Sequence, residues 1–589
     1  MKKLLTRWGK ELNRECPLND YPRPQMKRDS FICLNGVWNY GIFEEHKKFT
    51  GYQGEIVVPF SPECILSGVE KLVKPDDTLY YQKIFNFKKT NHRTLLHFGA
   101  VDYECTVTLN GKEIGSHKGG YLPFTFDVTG AVLDGENELR LTVTDPTDTG
   151  TQARGKQTFD RGGIWYTPQS GIWQTVWLEE VCEDYISAVK LTPDIDTDTL
   201  QIELVFSDRV IHESAAMVLD KGEIKAACKI IDGKGTVTLS DYELWSPENP
   251  YLYELKIASG EDRIDSYFAM RKFSRGKDEK GVARFMLNNK PYFFNGLLDQ
   301  GYWSDGMYTA PSDEALIYDI QTMKDLGFNT LRKHIKIEPL RWYYHCDRLG
   351  MIVWQDMING GGKYNFMTIG TLPFFGLLTG NKKIGRFPDN EKNYKRFGRE
   401  DKAGRDEYYA DSEAMIEHLY NVPCIALWTP FNEAWGQFDA LKAAEFYRQK
   451  DPTRLIDHAS GWIEQGGGDV NSFHIYFTSF RFPKYGENDD RPIALTEFGG
   501  YSMKPEGHSY NADKFFGYRK YYSQEKFDKA ISDLYEKRIR PLLAKGLSAI
   551  IYTEVSDIED ECNGLLSYDR EVLKITPEVM KKANAMLKL

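Results

Sequence analysis

The sequence predicts a multidomain β plus α/β chain: a jelly-roll β-sandwich over residues 1–182, an immunoglobulin-like β-sandwich over 183–276 and a C-terminal (β/α)8 TIM barrel over 277–589. Three observations predict it. A chain of 589 residues exceeds what one ordinary core supports. Up to about residue 275 the short apolar runs alternate with period two, and no helical pattern separates them. From about residue 285 strand-like runs alternate with helix-like ones, the mark of βα units.

In the first block, TLLHFGAVDYECTVTLNGKEI (94–114) and NELRLTVTD (137–145) alternate apolar and polar residues, with Gly, Asn and Asp at the bends. The second block repeats the pattern in LQIELVF, GTVTLS and YLYELKIA. Eight barrel strands are then predicted: 291–297, 329–333, 351–356, 424–430, 454–460, 470–476, 492–497 and 547–554. Helices are expected over 312–327, which has a Ser cap, an acidic first turn and a terminal Gly, and over 338–350 and 411–421. The glycine- and aromatic-rich stretch 359–400 is too long for an ordinary βα loop and is expected to shape the barrel mouth.

Composition narrows the class. With 41% hydrophobic and 27% charged residues the chain is globular, and its 14% aromatics suit either a β-rich core or stacking on sugar rings. A net charge of −11 argues against a nucleic-acid partner. No apolar run approaches the roughly 18 residues of a spanning helix, so no membrane partner is expected. The start, MKKLLTRWGKELNRE, lacks the apolar stretch of a secretory signal, and nine scattered cysteines without CxxC spacing read as reduced thiols. Together these predict a cytoplasmic protein.

Two glutamates stand out. Glu433 lies in LWTPFNEAWGQ and Glu497 in IALTEFGG, each at the carboxyl end of a predicted strand, where this barrel carries its chemistry. A lone Glu at a strand end is commonly a surface or salt-bridged residue, but a pair is what glycoside hydrolysis needs. Glu433 sits beside Trp428, Phe431 and Trp435, whose desolvation raises its pKa, while Arg332 of the second strand is placed to keep Glu497 ionised.

At this point five segments, in order, resemble a known family: QSGIWQTVWLE (169–179), LWSPENPYLYEL (244–255), GFNTLRKHIKIEPLRWYYHCDRLGMIVWQD (327–356), FNEAWGQ and LTEFGG. The chain resembles glycoside hydrolase family 2, the group of β-galactosidases, β-glucuronidases and β-mannosidases, and is most similar to the β-galactosidase-like members. The resemblance implies an exo-acting retaining β-glycosidase with a carbohydrate substrate and a homo-oligomeric assembly. It implies Glu433 as acid/base, Glu497 as nucleophile and Asn432 against the sugar 2-hydroxyl. It places a histidine after the second strand on the sugar (His334, otherwise a structural histidine) and a tyrosine near the nucleophile (Tyr476, with His474 on the same strand). No cofactor or metal is expected, because neither reaction step requires one.

Other residues keep two readings. Asp356 binds a sugar hydroxyl or caps the next segment. Asp299 and Trp303 accept a hydroxyl and stack on the sugar, or cap a helix and fill the core. Trp462 meets substrate or packs a loop. Glu554, Asp557 and Glu559 form a solvated loop face, or a hydroxyl or cation site. Two departures from the family pattern bear on the sugar. Leu565 stands where the glucuronidases carry a carboxylate-binding lysine, which disfavours a uronide. Trp165 stands where an acidic residue of the jelly roll often enters the site, with Asp160 and Arg161 near enough in sequence to compensate. The acid missing at Trp165 removes the residue that would read the 4-hydroxyl, so β-galactosides are expected first as a default of the resemblance, with β-mannosides, β-glucosides or α-L-arabinopyranosides as alternatives and a non-catalytic carbohydrate-binding protein as a different class.

Overall fold

The computed structural model describes residues 3–207, 213–365, 367–379, 387–477, 479–480, 482, 489–511 and 513–589. Its N-terminal part is a sandwich of a six-stranded and a four-stranded antiparallel sheet. Period-two alternation builds its core: on Asp77–Phe87 the residues Leu79, Tyr81, Phe85 and Phe87 point inward and meet Leu96, Phe98, Val176 and Leu178 of the other sheet. A second sandwich of three and four strands follows, its core formed by residues such as Leu200, Ile202, Leu255 and Ile257.

The C-terminal part is a TIM barrel. Its strands are β1 (Phe294–Asp299), β2 (Thr330–Lys333), β3 (Ile352–Asp356), β4 (Ile425–Thr429), β5 (Leu455–Ile456), β6 (Asn471–Ile475), β7 (Ile493–Gly499) and β8 (Leu547–Thr553). All pair in parallel in the order β5-β4-β3-β2-β1-β8-β7-β6, so β1 closes on β8. Across the remaining seam Ser472, on β6, donates to Asp457, just after β5, at 2.8 Å. Six strands fall within their predicted runs, and β1 and β7 each extend two residues past theirs, to Asp299 and Gly499. β4, β6 and β8 are buried at every position because both faces of a parallel sheet are covered.

The helix Asp313–Asp325 starts as its cap predicts, with Ser312 accepting from the Ala315 N–H. The helix expected over 411–421 instead runs Lys402–Leu419. The Asp401 carboxylate caps it by accepting from the Ala403 and Gly404 N–H groups, and Tyr408 and Ser412 continue its buried face through a charged segment that read as loop. All nine cysteines are free. No helix among the described residues is long and apolar enough to cross a membrane.

The sandwiches are bolted to the barrel. Trp245, fully buried, donates its indole N–H to the Asp347 carbonyl at 2.8 Å. Trp245→Ala is expected to cost about 3–5 kcal/mol in urea unfolding, because it empties a filled site and orphans that carbonyl; a loss under about 1 kcal/mol would mean the junction collapses around the gap. At the other end, Arg154 and Gly155 of the first sandwich both donate backbone N–H to the Asn359 carbonyl, at 3.0 and 2.9 Å. This pins a sandwich loop over the barrel mouth. The stretch 359–400 lies beside it. Tyr364, Ile369 and Phe374 of that stretch face the mouth, while its residues 366 and 380–386 lie outside the described residues.

Candidate active site

β4 and β7 deliver the two glutamates to one mouth. After β4 the chain turns sharply: Glu433 and Ala434 have φ of 51° and 68°. That left-handed geometry costs a side-chain-bearing residue roughly 1–2 kcal/mol and persists only where its surroundings enforce it. Here they do. The Glu433 N–H donates to the Ser460 carbonyl at 2.9 Å, and Asn359 Nδ2 donates to the carbonyls of Asn432 and Trp435 at 3.2 and 2.8 Å. On β7 the pairing shifts register against both neighbours around Glu497, and such bulges re-aim side chains beside active sites. Gly461, at φ 104°, has no room for a side chain: a Cβ would lie 2.8 Å from the His474 ring.

A carboxylate oxygen of Glu433, one of Glu497 and a ring nitrogen of His474 lie within 4.8 Å of one another. That spacing fits the separation of about 5–5.5 Å in retaining glycosidases rather than the 6.5–9.5 Å or so of inverting ones. Among the described residues this trio is also the one set placed to share a metal ion, and an ion there would occupy both carboxylates.

Burial pushes both carboxyls above the ordinary range; Lys156 and then Arg332 pull Glu433 back, while on Glu497 His474 and Arg332 oppose burial and Glu433 adds to it. What separates the two is contact. Glu497 accepts from Arg332 Nη1 at 3.2 Å and from the Tyr476 hydroxyl at 2.5 Å. Among the described residues Glu433 has His474 Nδ1, at 2.8 Å, as its hydrogen-bond partner, and that nitrogen also lies 3.4 Å from Glu497. When the pair holds one proton, it therefore rests on Glu433. Arg332 can only donate, and its Nη1 faces His474 Nε2 at 3.4 Å, so the imidazole proton sits on Nδ1, toward the glutamates. Burial pushes His474 down to about 4, against the pull of Glu497, so it is neutral near pH 7.

Arg332 is the hub. Burial alone would disfavour its charge, but Asp356 and Glu497 outweigh that. It reaches Asp356 at 2.9 Å and, through Nη2, the Asn432 oxygen at 2.8 Å. The other side of the Asn432 amide, Nδ2, is buried without a partner, a free donor at the site. Asp356 uses one oxygen on Arg332 and the other on His334 Nδ1 at 2.9 Å, so it positions two residues rather than facing a sugar. Burial, with the Lys156 charge, takes His334 down to about 3 against Asp356, and it too is neutral. Tyr476 stacks on Tyr518 with ring centroids 3.7 Å apart. Trp462 lines a cavity of about 300 Å³ beside Glu433, together with Trp165, Tyr364, Phe374, Trp435 and Phe477.

Other expected residues lie elsewhere. Asp299 is held in a buried ion network, 2.8 Å from Lys333, which also pairs with Glu338. Trp303 packs edge-on against Trp8 and under Arg570, in the core. Glu554, Asp557 and Glu559 are buried, not a solvated face: Gln300 donates to Glu554 at 2.7 Å, Lys574 pairs with Asp557, and Thr167 N–H and Arg161 of the sandwich loop meet Glu559 at 3.1 and 3.2 Å. Asp560 takes Arg161 at 3.6 Å and Asp160 is exposed, so neither Asp160 nor Arg161 replaces the acid lost at Trp165, whose ring packs edge-on against Trp435. Leu565 is fully buried core. Lys156 was not foreseen. Its segment, RGKQ (154–157), carries no motif and reads as a solvated turn until the backbone bonds to Asn359 place it over the mouth.

Paired glutamates at the mouth of a TIM barrel, behind two β-sandwiches, are the arrangement that glycoside hydrolysis needs. The chain belongs to glycoside hydrolase family 2. Residues 70–172 match its galactose-binding domain-like model, 185–271 its family 2 domain and 280–571 its TIM barrel domain. It is 24% identical to a β-galactosidase of Halalkalibacterium halodurans over 418 residues, 67% of this chain and 37% of that protein. It is 22% identical to a β-glucuronidase of Streptococcus agalactiae over 540 residues, 82% of this chain and 84% of that one. The chain spans only about a third of the length of several curated relatives it matches, 32–37%. Among solved structures, a β-D-glucuronidase of Dictyoglomus thermophilum superposes with a TM-score of 0.73 at 18% identity over 96% of this chain and 99% of that one, a likeness of fold.

Proposed function

We propose that this chain is an exo-acting retaining β-glycosidase, with Glu497 as nucleophile and Glu433 as acid/base. One observation carries the reading: two carboxylates within 4.8 Å, one held by Arg332 and Tyr476 and the other left to keep the proton. In the first step the Glu497 carboxylate attacks the anomeric carbon while the Glu433 proton passes to the departing oxygen. In the second, Glu433 takes a proton from water, whose oxygen displaces Glu497 and leaves the sugar in its original anomeric configuration. The free Asn432 Nδ2 is placed to donate to the 2-hydroxyl, a bond that strengthens as positive charge grows on the ring. The walls contributed by Trp165, Tyr364, Ile369 and Phe374 favour a pocket for a chain end over an open cleft, and the aromatic cavity beside Glu433 is where the leaving group departs.

Terminal β-galactosides are the first substrate to test, alongside β-mannosides, β-glucosides and α-L-arabinopyranosides. Uronides belong in the same panel, since relatives are named for both activities, although Leu565 offers a uronate no cation. A matching 2-deoxy-2-fluoro glycosyl fluoride is expected to inactivate the enzyme and to leave one fluorosugar on Glu497, read by peptide mass. Proton NMR of early product should show the β-anomer. An α-product, or a label on another residue, would sink the double-displacement reading.

A further inference from the structure

Two buried groups at the mouth are left over from this chemistry. Lys156 is 8% exposed, and among the described residues its ammonium has only the Tyr166 ring as a partner, 5.8 Å from Nζ. Glu554 is 1% exposed; its Oε2 accepts from Gln300 Nε2 at 2.7 Å and its Oε1 has no partner. The two converge on Tyr166. Lys156 lies against the ring, and Gln300, which holds Glu554, also donates to the Tyr166 hydroxyl at 2.8 Å. The Lys156 charge acts on His334, Glu433, His474, Glu497 and Glu554, which stand on or just after β2, β4, β6, β7 and β8.

The Lys156 ammonium carries three N–H donors. An anion brought in by a ligand supplies acceptors for Lys156 Nζ but no donor for Glu554 Oε1, whereas a neutral polyol answers both leftovers. One hydroxyl oxygen accepts from Nζ and its neighbour donates to Glu554 Oε1.

We propose that Lys156, supplied by the N-terminal sandwich, and Glu554, after β8, form a recognition pair for an uncharged sugar. They grip adjacent hydroxyls on the side of the ring away from the 2-hydroxyl. The side follows from the barrel: β8 stands across the mouth from β4, which carries Asn432 at its end. This inference rests on the glycosidase reading and names the glycone class for it.

The test is calorimetric binding to the full-length enzyme. The ligands are neutral iminosugars of galactose, glucose and mannose configuration and their carboxylate counterparts. The best neutral ligand should outbind its carboxylate form. Lys156→Met and Glu554→Gln should each weaken it by about 10- to 100-fold, and the double variant by less than the product of the two losses. Lys156→Met should also move the alkaline limb of kcat/KM to higher pH, because the cation that pulls Glu433 down is gone, a shift that a merely structural lysine would not produce. Tighter binding of the carboxylate ligand, lost in Lys156→Met, overturns the proposal. So does unchanged binding of the neutral ligand in both variants. Fluorosugar labelling of Glu497 is scored separately: a labelled enzyme with unselective variants counts against the pair alone, and an unlabelled one against the glycosidase reading.

Discussion

Glu497→Ala is expected to lower turnover by a factor on the order of 10⁵ or more, the scale seen when a catalytic nucleophile is removed, while the protein stays folded. Glu497 is the carboxylate that shares the 4.8 Å cluster with Glu433, and its partners Arg332 and Tyr476 are donors that cannot attack an anomeric carbon. The loss should be partly rescued by azide, which fits the space vacated by the side chain. Azide then attacks the intact substrate once, so the product is the α-glycosyl azide, with inverted configuration. A β-azide, or activity within about tenfold of the parent, would show that Glu497 is not the nucleophile.

Glu433→Gln carries the second large effect, and it should depend on the leaving group. General acid catalysis contributes about 10²- to 10⁴-fold, most where the departing oxygen is basic. Alkyl glycosides should therefore lose nearly all activity. Dinitrophenyl glycosides leave without a proton and should still form the Glu497 adduct, seen as a burst followed by slow turnover, and azide should now speed the second step and yield the β-azide. The pH profile follows from the same proton. Burial holds the Glu433 carboxyl above its ordinary value, so its acid form persists to higher pH, and activity falls as pH rises through that raised pKa. Gln cannot titrate, so the variant should lose this alkaline limb. Retention of the limb would assign it to another group.

Much of the fold was readable in advance because burial on two faces leaves a plain mark. Runs such as CIALWTP and LSAIIYTE are apolar without alternation, which is what a parallel strand covered on both sides requires. Helix 402–419 was half missed because its first turns are charged and its buried face rests on Tyr408 and Ser412 rather than on aliphatic residues. That Glu433 and Glu497 share one mouth was legible from the eight-strand frame together with the FNEAWGQ and LTEFGG segments. Asp356 was legible only as a carboxylate at a strand end, since its engagement with Arg332 and His334 depends on neighbours from β2 and the turn after it.

The sequence by itself determined the architecture, the two glutamates and the amide beside one of them, because hydrophobic period and strand position are local properties of the chain. Only the tertiary structure decided how far apart the carboxylates stand and which of them keeps the proton, since both depend on side chains brought in from β2, β6 and β7. The same is true of Lys156. A lysine in a short polar turn is a surface residue on local evidence, and it becomes part of the mouth only because a backbone contact with Asn359 carries a loop of one domain across the barrel of another.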